Sequence, residues 1–216
     1  MSLRLGFVHH ALIVAPHPDD EVIGAAGLIR SLKVRGAAVT VVIVSDGGAS
    51  HPGSRRWPHA RLVAQRRRES LRALRRLRVP TGDVRFLGLA DGGLPGDAIR
   101  CRRLLRRIVV ATRADLIVGP AASDAHPDHR AVAEALRGPS SAARRLAYQV
   151  WPARGRGLAR AQGLPVAGGF ATKRSLIRLH RTQMGAIRDD PAGFAIAPHE
   201  LAAFAHPVEW FVDVAR

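Results

Sequence analysis

The stretch Ala11-Leu12-Ile13-Val14-Ala15-Pro16-His17-Pro18-Asp19-Asp20-Glu21 decides the fold. Its first five residues are apolar without a polar alternate, the pattern of a strand buried on both faces of a parallel sheet. The chain then passes directly into an imidazole and three carboxylates stiffened by two prolines. A second stretch repeats the layout, with Leu116-Ile117-Val118-Gly119 followed by His126-Pro127-Asp128-His129. Two apolar strands that each end in metal-ligating side chains place them at the carboxyl edge of a parallel sheet, where open α/β folds hold their ligands.

Outward from these anchors, strands and helices alternate. Leu12–Ala15 predicts a strand and Glu21–Arg35 a helix that stops at Gly36, a residue suited to a left-handed cap. The β-branched run Val39–Val44 predicts a buried parallel strand. Ser45–His59 reads as a loop on its glycines and prolines. In Leu62–Leu77, Leu71, Leu74 and Leu77 recur at helical spacing with arginines on the other faces. Val84–Leu87 predicts a short strand, Asp91–Gly96 a turn, and Ile99–Ala111 a helix. After the strand Leu116–Gly119, a helix starts at His129–Leu136 and a further strand covers Leu146–Val150. Pro152–Gly169 reads as a loop and a candidate lid, Thr172–Arg188 as a helix, and Val208–Val214 as an edge strand. This alternation predicts an α/β fold, a Rossmann-like doubly wound and mostly parallel sheet with helices on both faces, forming one domain over residues 1–216.

Composition narrows the function. An apolar fraction of 47% over 216 residues supplies an ordinary core. No segment reaches the apolar length of a membrane span, and the N-terminus lacks a signal-peptide apolar core, so a cytoplasmic protein is expected. Cys101 is the only cysteine, which excludes an internal disulfide and a cysteine zinc site. The net charge of +17 is carried almost entirely by arginine, with Lys33 and Lys173 the only lysines. Such a field attracts anionic partners. Aromatics at 5% and the lack of any nucleic-acid module argue against a nucleic-acid role, and runs such as Arg66-Arg67-Arg68 and Arg102-Arg103 read as solvated helix faces.

If the first and fourth strands are neighbours across the switch point, His17 and His129 approach one another despite their separation in sequence. Two imidazoles and one carboxylate suit zinc with an open position. His17, Asp20 and His129 are therefore the expected ligands. Asp19 is left free as a base, and His126, near Asp128, as an oriented acid or electrostatic stabiliser. Either cluster alone also reads as a helix start, with Asp19 or Asp20 capping one helix and Asp128 the other. A cap needs one side chain, whereas each cluster brings several.

These motifs resemble the PIG-L/LmbE-like family of zinc-dependent N-deacetylases. Further segments agree. Val44-Ser45-Asp46-Gly47-Gly48 resembles the family's turn after strand two, Arg66-x-x-Glu69 its Arg-x-x-Glu helix, and Lys173…His180-Arg181-Thr182-Gln183 its late helix, with Thr in place of Ser. The resemblance implies zinc on His17, Asp20 and His129, Asp19 as general base, His126 assisting and held by Asp128, and Arg66 contacting substrate. It implies hydrolysis of an N-acetyl group from a small N-acetylglucosamine-containing conjugate. Asp46 is a candidate for sugar hydroxyls or for stabilising its own turn. Trp57 is a candidate for stacking on a sugar face, and His180 and Gln183 for lining the pocket. A homo-oligomer is compatible with the sequence. Two rivals remain at this stage. One is a ferrous site of the same ligand types, against which the α/β alternation stands. The other is a non-catalytic metal-site protein that binds an anionic partner through its arginine-rich surface.

Overall fold

The structure, a computed structural model, describes residues 1–138, 142–152 and 158–214. Its strands are β1 (His10–Ala15), β2 (Ala38–Ser45), β3 (Val84–Leu89), β4 (Leu116–Pro120), β5 (Arg144–Tyr148), β6 (Gln162–Pro165) and β7 (Val208–Asp213). The α-helices are α1 (Asp20–Val34), α2 (His59–Arg76), α3 (Ala98–Thr112), α4 (Pro127–Ala135), α5 (Gly169–Ile177) and α6 (Pro198–Phe204). The strands form one sheet in the order β3-β2-β1-β4-β5-β7-β6. β1 to β5 pair in parallel, and β7 runs antiparallel to both β5 and β6.

The residues of β1 explain the layering. Ala11, Ile13 and Ala15 face one core, shared with Val22, Leu28, Ile29 and Leu32 of α1. Leu12 and Val14 face the other, shared with Cys101 and Leu105 of α3 and Val132 of α4. An apolar strand without alternation thus serves two cores at once, as expected for a doubly wound sheet. Each fully buried Leu or Ile contributes about 1.5–3 kcal/mol of transfer free energy. The arginines of the helical runs lie outside, and Arg67, Arg68, Arg75, Arg76, Arg102 and Arg103 are all exposed. Arg66 is the exception and is buried.

The chain leaves β1 towards β2 on one side and β4 towards β5 on the other, so the topological switch point lies between β1 and β4. That is where both motifs end. α1 is bent at Ala25 (φ −144°), which frees the amides of its second half. Glu209 of β7 accepts from Gly27 N at 2.8 Å and Leu28 N at 3.0 Å, and Lys173 of α5 reaches the same carboxylate at 2.8 Å. A buried ion pair therefore caps the helix that follows the first motif.

Three expectations change. Val208–Val214 is no edge strand, because Gln162–Pro165 pairs outside it as β6 within the segment read as a loop. The lid expectation falls partly on residues outside those described. The helix expected over Thr172–Arg188 stops at Ile177 and is followed by a 3-10 turn over Arg181–Gln183. The reason is tertiary. Glu69 of α2 takes the Thr182 hydroxyl at 2.6 Å and its backbone N–H at 3.3 Å, bonds that an unbroken helix would not present in this way.

Candidate metal centre

His17, Asp20 and His129 converge. His17 Nδ1 lies 3.2 Å from Asp20 Oδ2 and 3.2 Å from His129 Nε2, and His129 Nε2 lies 3.1 Å from the same Asp20 oxygen. Three donor atoms at the corners of a near-equilateral triangle match a face of a coordination tetrahedron. Metal–ligand bonds of ~2.0–2.1 Å give an edge of roughly 3.3 Å. Two imidazole nitrogens that face each other and one carboxylate oxygen cannot all be satisfied by a single shared proton. The donor set fits a divalent metal.

Charge points the same way. Asp20, Asp91, Asp124 and Asp128 surround the two imidazoles within a chain of net charge +17. Burial alone would lower the His17 pKa, but Asp128, Asp20 and Asp91 carry it well above the usual value. Burial likewise opposes the charge on His129, yet Asp20 and Asp124 raise it to about 9. Asp20 is held far below the carboxylate range by His129 and His17 in spite of its burial. The pocket thus demands positive charge where the three donor atoms meet.

The carboxylates behind the imidazoles correct one expected pairing. Asp128 does not hold His126 through its side chain. Its Oδ2 accepts from His17 Nε2 at 3.1 Å and from Gly92 N at 2.8 Å, and its Oδ1 accepts from Leu94 N at 3.2 Å. Only its backbone N–H meets His126, donating to Nδ1 at 3.2 Å. His126, not Asp128, is therefore the N-cap of α4. In its neutral form His126 then carries its proton on Nε2. Its pKa is lowered by burial and then by the neighbouring His17 and His129, whose ring centroids lie 4.8 and 5.0 Å away.

Two carboxylates in the site were not singled out from the sequence. Asp124 Oδ2 lies 3.2 Å from His129 Nδ1, which orients the ring and fixes Nε2 as the atom facing Asp20. Asp91, in the turn after β3, places Oδ1 at 3.2 Å from His17 Nε2 and is held at about 2 by that imidazole despite its burial. Each follows a strand at the same sheet edge as the two motifs, the signal that could have marked them.

Asp19 stands beside the triangle at φ 136°, a conformation that costs a non-glycine residue about 1–3 kcal/mol. Its surroundings impose it. Asp19 N donates to Glu21 Oε2 at 2.8 Å, and Arg66 donates to Pro18 O at 2.8 Å and to Asp19 Oδ2 at 3.2 Å. Asp19 caps α1 with no side-chain bond to it, so the carboxylate is spared from a capping role. Burial raises its pKa to about 8, partly countered by Arg66. Arg66 also donates to Gly47 O at 2.9 Å, and a Cβ on Gly47 (φ 69°) would fall 2.8 Å from that guanidinium.

These residues form the floor of a cavity of about 630 Å³ lined in part by His17, Asp19, Asp20, Arg66, Asp91 and His126. Gln183 reaches it from the C-terminal part. Asp46 does not line it: its Oδ1 accepts from Gly48 N at 2.8 Å and from Asp91 N at 3.3 Å, the turn-stabilising alternative. His180 lies behind the wall, buried, 3.8 Å from Glu21 Oε1, with its pKa lowered to about 3 by burial and then by Arg66. Trp57 sits under the Arg61 guanidinium rather than over the cavity. The tryptophan on the wall is Trp151, with Phe194 and Phe204 beside it.

Residues 12–138 match the PIG-L family, described as GlcNAc-PI de-N-acetylase. The chain is similar to 2'-N-acetylparomamine deacetylase of Streptomyces fradiae, with 31% identity over 142 residues that cover 59% of this chain and 50% of that protein. It is also similar to 1D-myo-inositol 2-acetamido-2-deoxy-alpha-D-glucopyranoside deacetylase of Nocardia farcinica, 30% identical over 239 residues that cover 95% of this chain and 74% of that one. The chain spans about half the length of most curated relatives it matches. In fold it resembles N,N'-diacetylchitobiose deacetylase from Pyrococcus horikoshii, with a TM-score of 0.71 at 21% identity, covering 96% of this chain and 84% of the other. The matched family segment takes in more than half of the chain and contains both motifs at the β1/β4 edge, and the chain belongs to the PIG-L family.

Proposed function

We propose that this protein is a zinc-dependent N-deacetylase that hydrolyses the acetamide of a small N-acetylglucosamine-containing conjugate. The observation that carries this reading is the triangle of His17, Asp20 and His129 with Asp19 beside it, free of capping duty and held by Arg66 in an open cavity. Bound by those three side chains, zinc supplies Lewis acidity towards an amide carbonyl and lowers the pKa of water to ~7.

Asp19 takes the proton from the attacking water. Burial raises its proton affinity above that of an ordinary carboxylate, which suits a group that must accept a proton. Arg66 fixes the carboxylate through Oδ2 and the preceding carbonyl, so that its remaining oxygen is the one available to that proton. The acetamide carbon becomes tetrahedral, and the neutral His126 donates from Nε2 to the developing oxyanion. The C–N bond then breaks as the proton held on Asp19 passes to the leaving nitrogen, giving acetate and a free amine. Asp128 and Asp124 act through His17 and His129 and do not touch the reacting atoms.

The test is primary-amine release from a panel of N-acetylglucosaminides by zinc-loaded protein and by Asp19→Asn. Release by the first, with turnover about 10²–10⁴-fold lower in the second and zinc retained in both, is expected. Equal turnover by both would remove Asp19 as the base. Silence from both with zinc bound would remove the deacetylase reading.

A further inference from the structure

The cavity lining has two chemistries. Besides the charged floor it includes Trp151, Phe194, Ile196 and Phe204, with Ile23 and Val150, and one carboxylate, Glu200, whose Oε2 accepts from Ala197 N at 2.8 Å. Trp151 stands edge-on to Phe204, with centroids 5.1 Å apart, and to Phe194 at 6.3 Å. Phe194 is 40% exposed and Trp151 half-buried, while Ile196 and Phe204 beneath them are buried members of the core, so the free aromatic surface is that of Phe194 and Trp151. At about 630 Å³ the space falls in the range of roughly 300–1,000 Å³ that encloses a drug-sized ligand, more than one sugar ring needs.

The wall is built to stay where it is. Val150 N and Trp151 N donate to Asp124 Oδ2 at 2.8 and 3.0 Å, the same oxygen that lies 3.2 Å from His129 Nδ1. Phe194 N donates to Ser50 O at 2.8 Å and Ile196 N to Gln183 O at 2.8 Å, which tie the C-terminal part of the wall to the backbone of two polar residues that also line the cavity. Trp151, Phe194, Ile196 and Phe204 all lie beyond residue 138, outside the segment matched to the family.

We infer that the sugar acted on carries an apolar aglycone, aryl or alkyl, that lies against Trp151, Phe194, Ile196 and Phe204 while the acetamide meets the floor. This rests on the deacetylase reading of the same site. A polyol, carboxylate or phosphate there would find one hydrogen-bonding group among those four side chains, the Trp151 indole N–H. An apolar group instead removes both surfaces from water.

The experiment compares methyl, phenyl and octyl β-glycosides of N-acetylglucosamine with the zinc-loaded protein. In parallel, calorimetry measures binding of methyl, phenyl and octyl β-D-glucoside, which have no acetamide to hydrolyse. The expected result is a kcat/KM for phenyl or octyl about tenfold or more above methyl, with the same order in Kd. In Trp151→Ala and Phe194→Ala, the ratio to methyl falls towards one. Phe194 is exposed enough for its variant to fold should Trp151→Ala fail to. A gain for phenyl alone identifies an aryl aglycone, a gain for octyl alone an alkyl one, and a gain for both a wall that takes either. Equal values for all three glycosides in both measurements overturn the inference while leaving deacetylation intact. If no glycoside is hydrolysed, deacetylation falls, and the binding ratio alone decides the wall.

Discussion

Asp128→Asn separates two accounts of the site, one in which Asp128 serves His126 and one in which it serves His17, the imidazole proposed to hold zinc. The side chain is fully buried, and its two oxygens accept from three N–H groups: His17 Nε2, Gly92 N and Leu94 N. An asparagine keeps one oxygen. If its amide nitrogen takes the Oδ2 position, it opposes both Gly92 N–H and His17 Nε2–H. The imidazole must then move its proton to Nδ1, the atom that faces Asp20 and His129. If it takes the Oδ1 position, only Leu94 N–H is left opposed. The second arrangement is the less costly, at about 1–3 kcal/mol for one buried donor without an acceptor. In both, the carboxylate charge behind His17 is gone. Outer carboxylates of this kind support metal affinity by about 10–100-fold, equivalent to about 1.4–2.7 kcal/mol. Competition against a zinc-binding indicator should therefore show that weakening, and urea unfolding of the metal-free protein a loss of about 1–3 kcal/mol. Asp91→Asn, with a more exposed carboxylate also 3.2 Å from His17 Nε2, should weaken zinc by less. Unchanged zinc affinity in Asp128→Asn, with kcat reduced at saturating metal, would refute the reasoning and return Asp128 to His126.

Other perturbations have equally definite outcomes. His129→Ala should abolish stoichiometric zinc by metal analysis, and an equimolar ion in the purified variant would strike His129 from the ligand set. Lys173→Met leaves the buried Glu209 carboxylate with only the amides of Gly27 and Leu28. Breaking such a pair costs about 3–5 kcal/mol, read as a shift in the urea midpoint; a change below about 1 kcal/mol would mean that water or another cation replaces the lysine. His180 has a folded pKa of about 3, so below pH 6.5 the unfolded chain takes up a proton that the folded protein refuses. Its contribution is fully present above pH 6.5 and is lost as the pH falls, at up to about 1.4 kcal/mol per unit. Glu21, raised to about 7 by burial, acts in the opposite sense over part of that range. The comparison is therefore between slopes: His180→Leu should lose stability less steeply than the parent protein from pH 6.5 to 4, and parallel slopes would show His180 to be solvated.

How much of this was legible in the sequence depended on whether the signal was local. The β-branched run Val39–Val44 and the unbroken apolar run before Pro16 announce buried parallel strands by themselves, and both are strands. His17, Asp20 and His129 were readable because prolines and strand ends crowd their donors together. Asp91 and Asp124 were not, since Asp91-Gly92-Gly93 and Ser123-Asp124-Ala125 look like any turn until the parallel sheet brings the ends of β3 and β4 to the same edge as the end of β1. The assignment of Asp128 to His126 took an imidazole two residues away in the chain, whereas β1–β4 pairing brings in one from 111 residues away. The helix expected through Arg188 fails for a similar reason, because Glu69 of α2 holds Thr182 in a turn that no local periodicity encodes.

The segment Asp124–His129 explains why the two motifs work only as a pair. Four residues apart, Asp124 and Asp128 turn towards different imidazoles, Asp124 to His129 at 3.2 Å and Asp128 to His17 at 3.1 Å. The segment after β4 thus orients an imidazole of its own helix and one that follows β1, while His126 between them caps α4. Asp124 also takes the amides of Val150 and Trp151, so the loop fixes where the aromatic wall begins relative to those imidazoles. A protein that needed only helix caps would satisfy them with single side chains. Here Asp124 and Asp128 each accept from backbone amides and each also reach an imidazole, so the bonds that compensate their burial fix the two rings as well as the chain around them. Two rings from separate strands are thus held facing one carboxylate by the sheet edge itself.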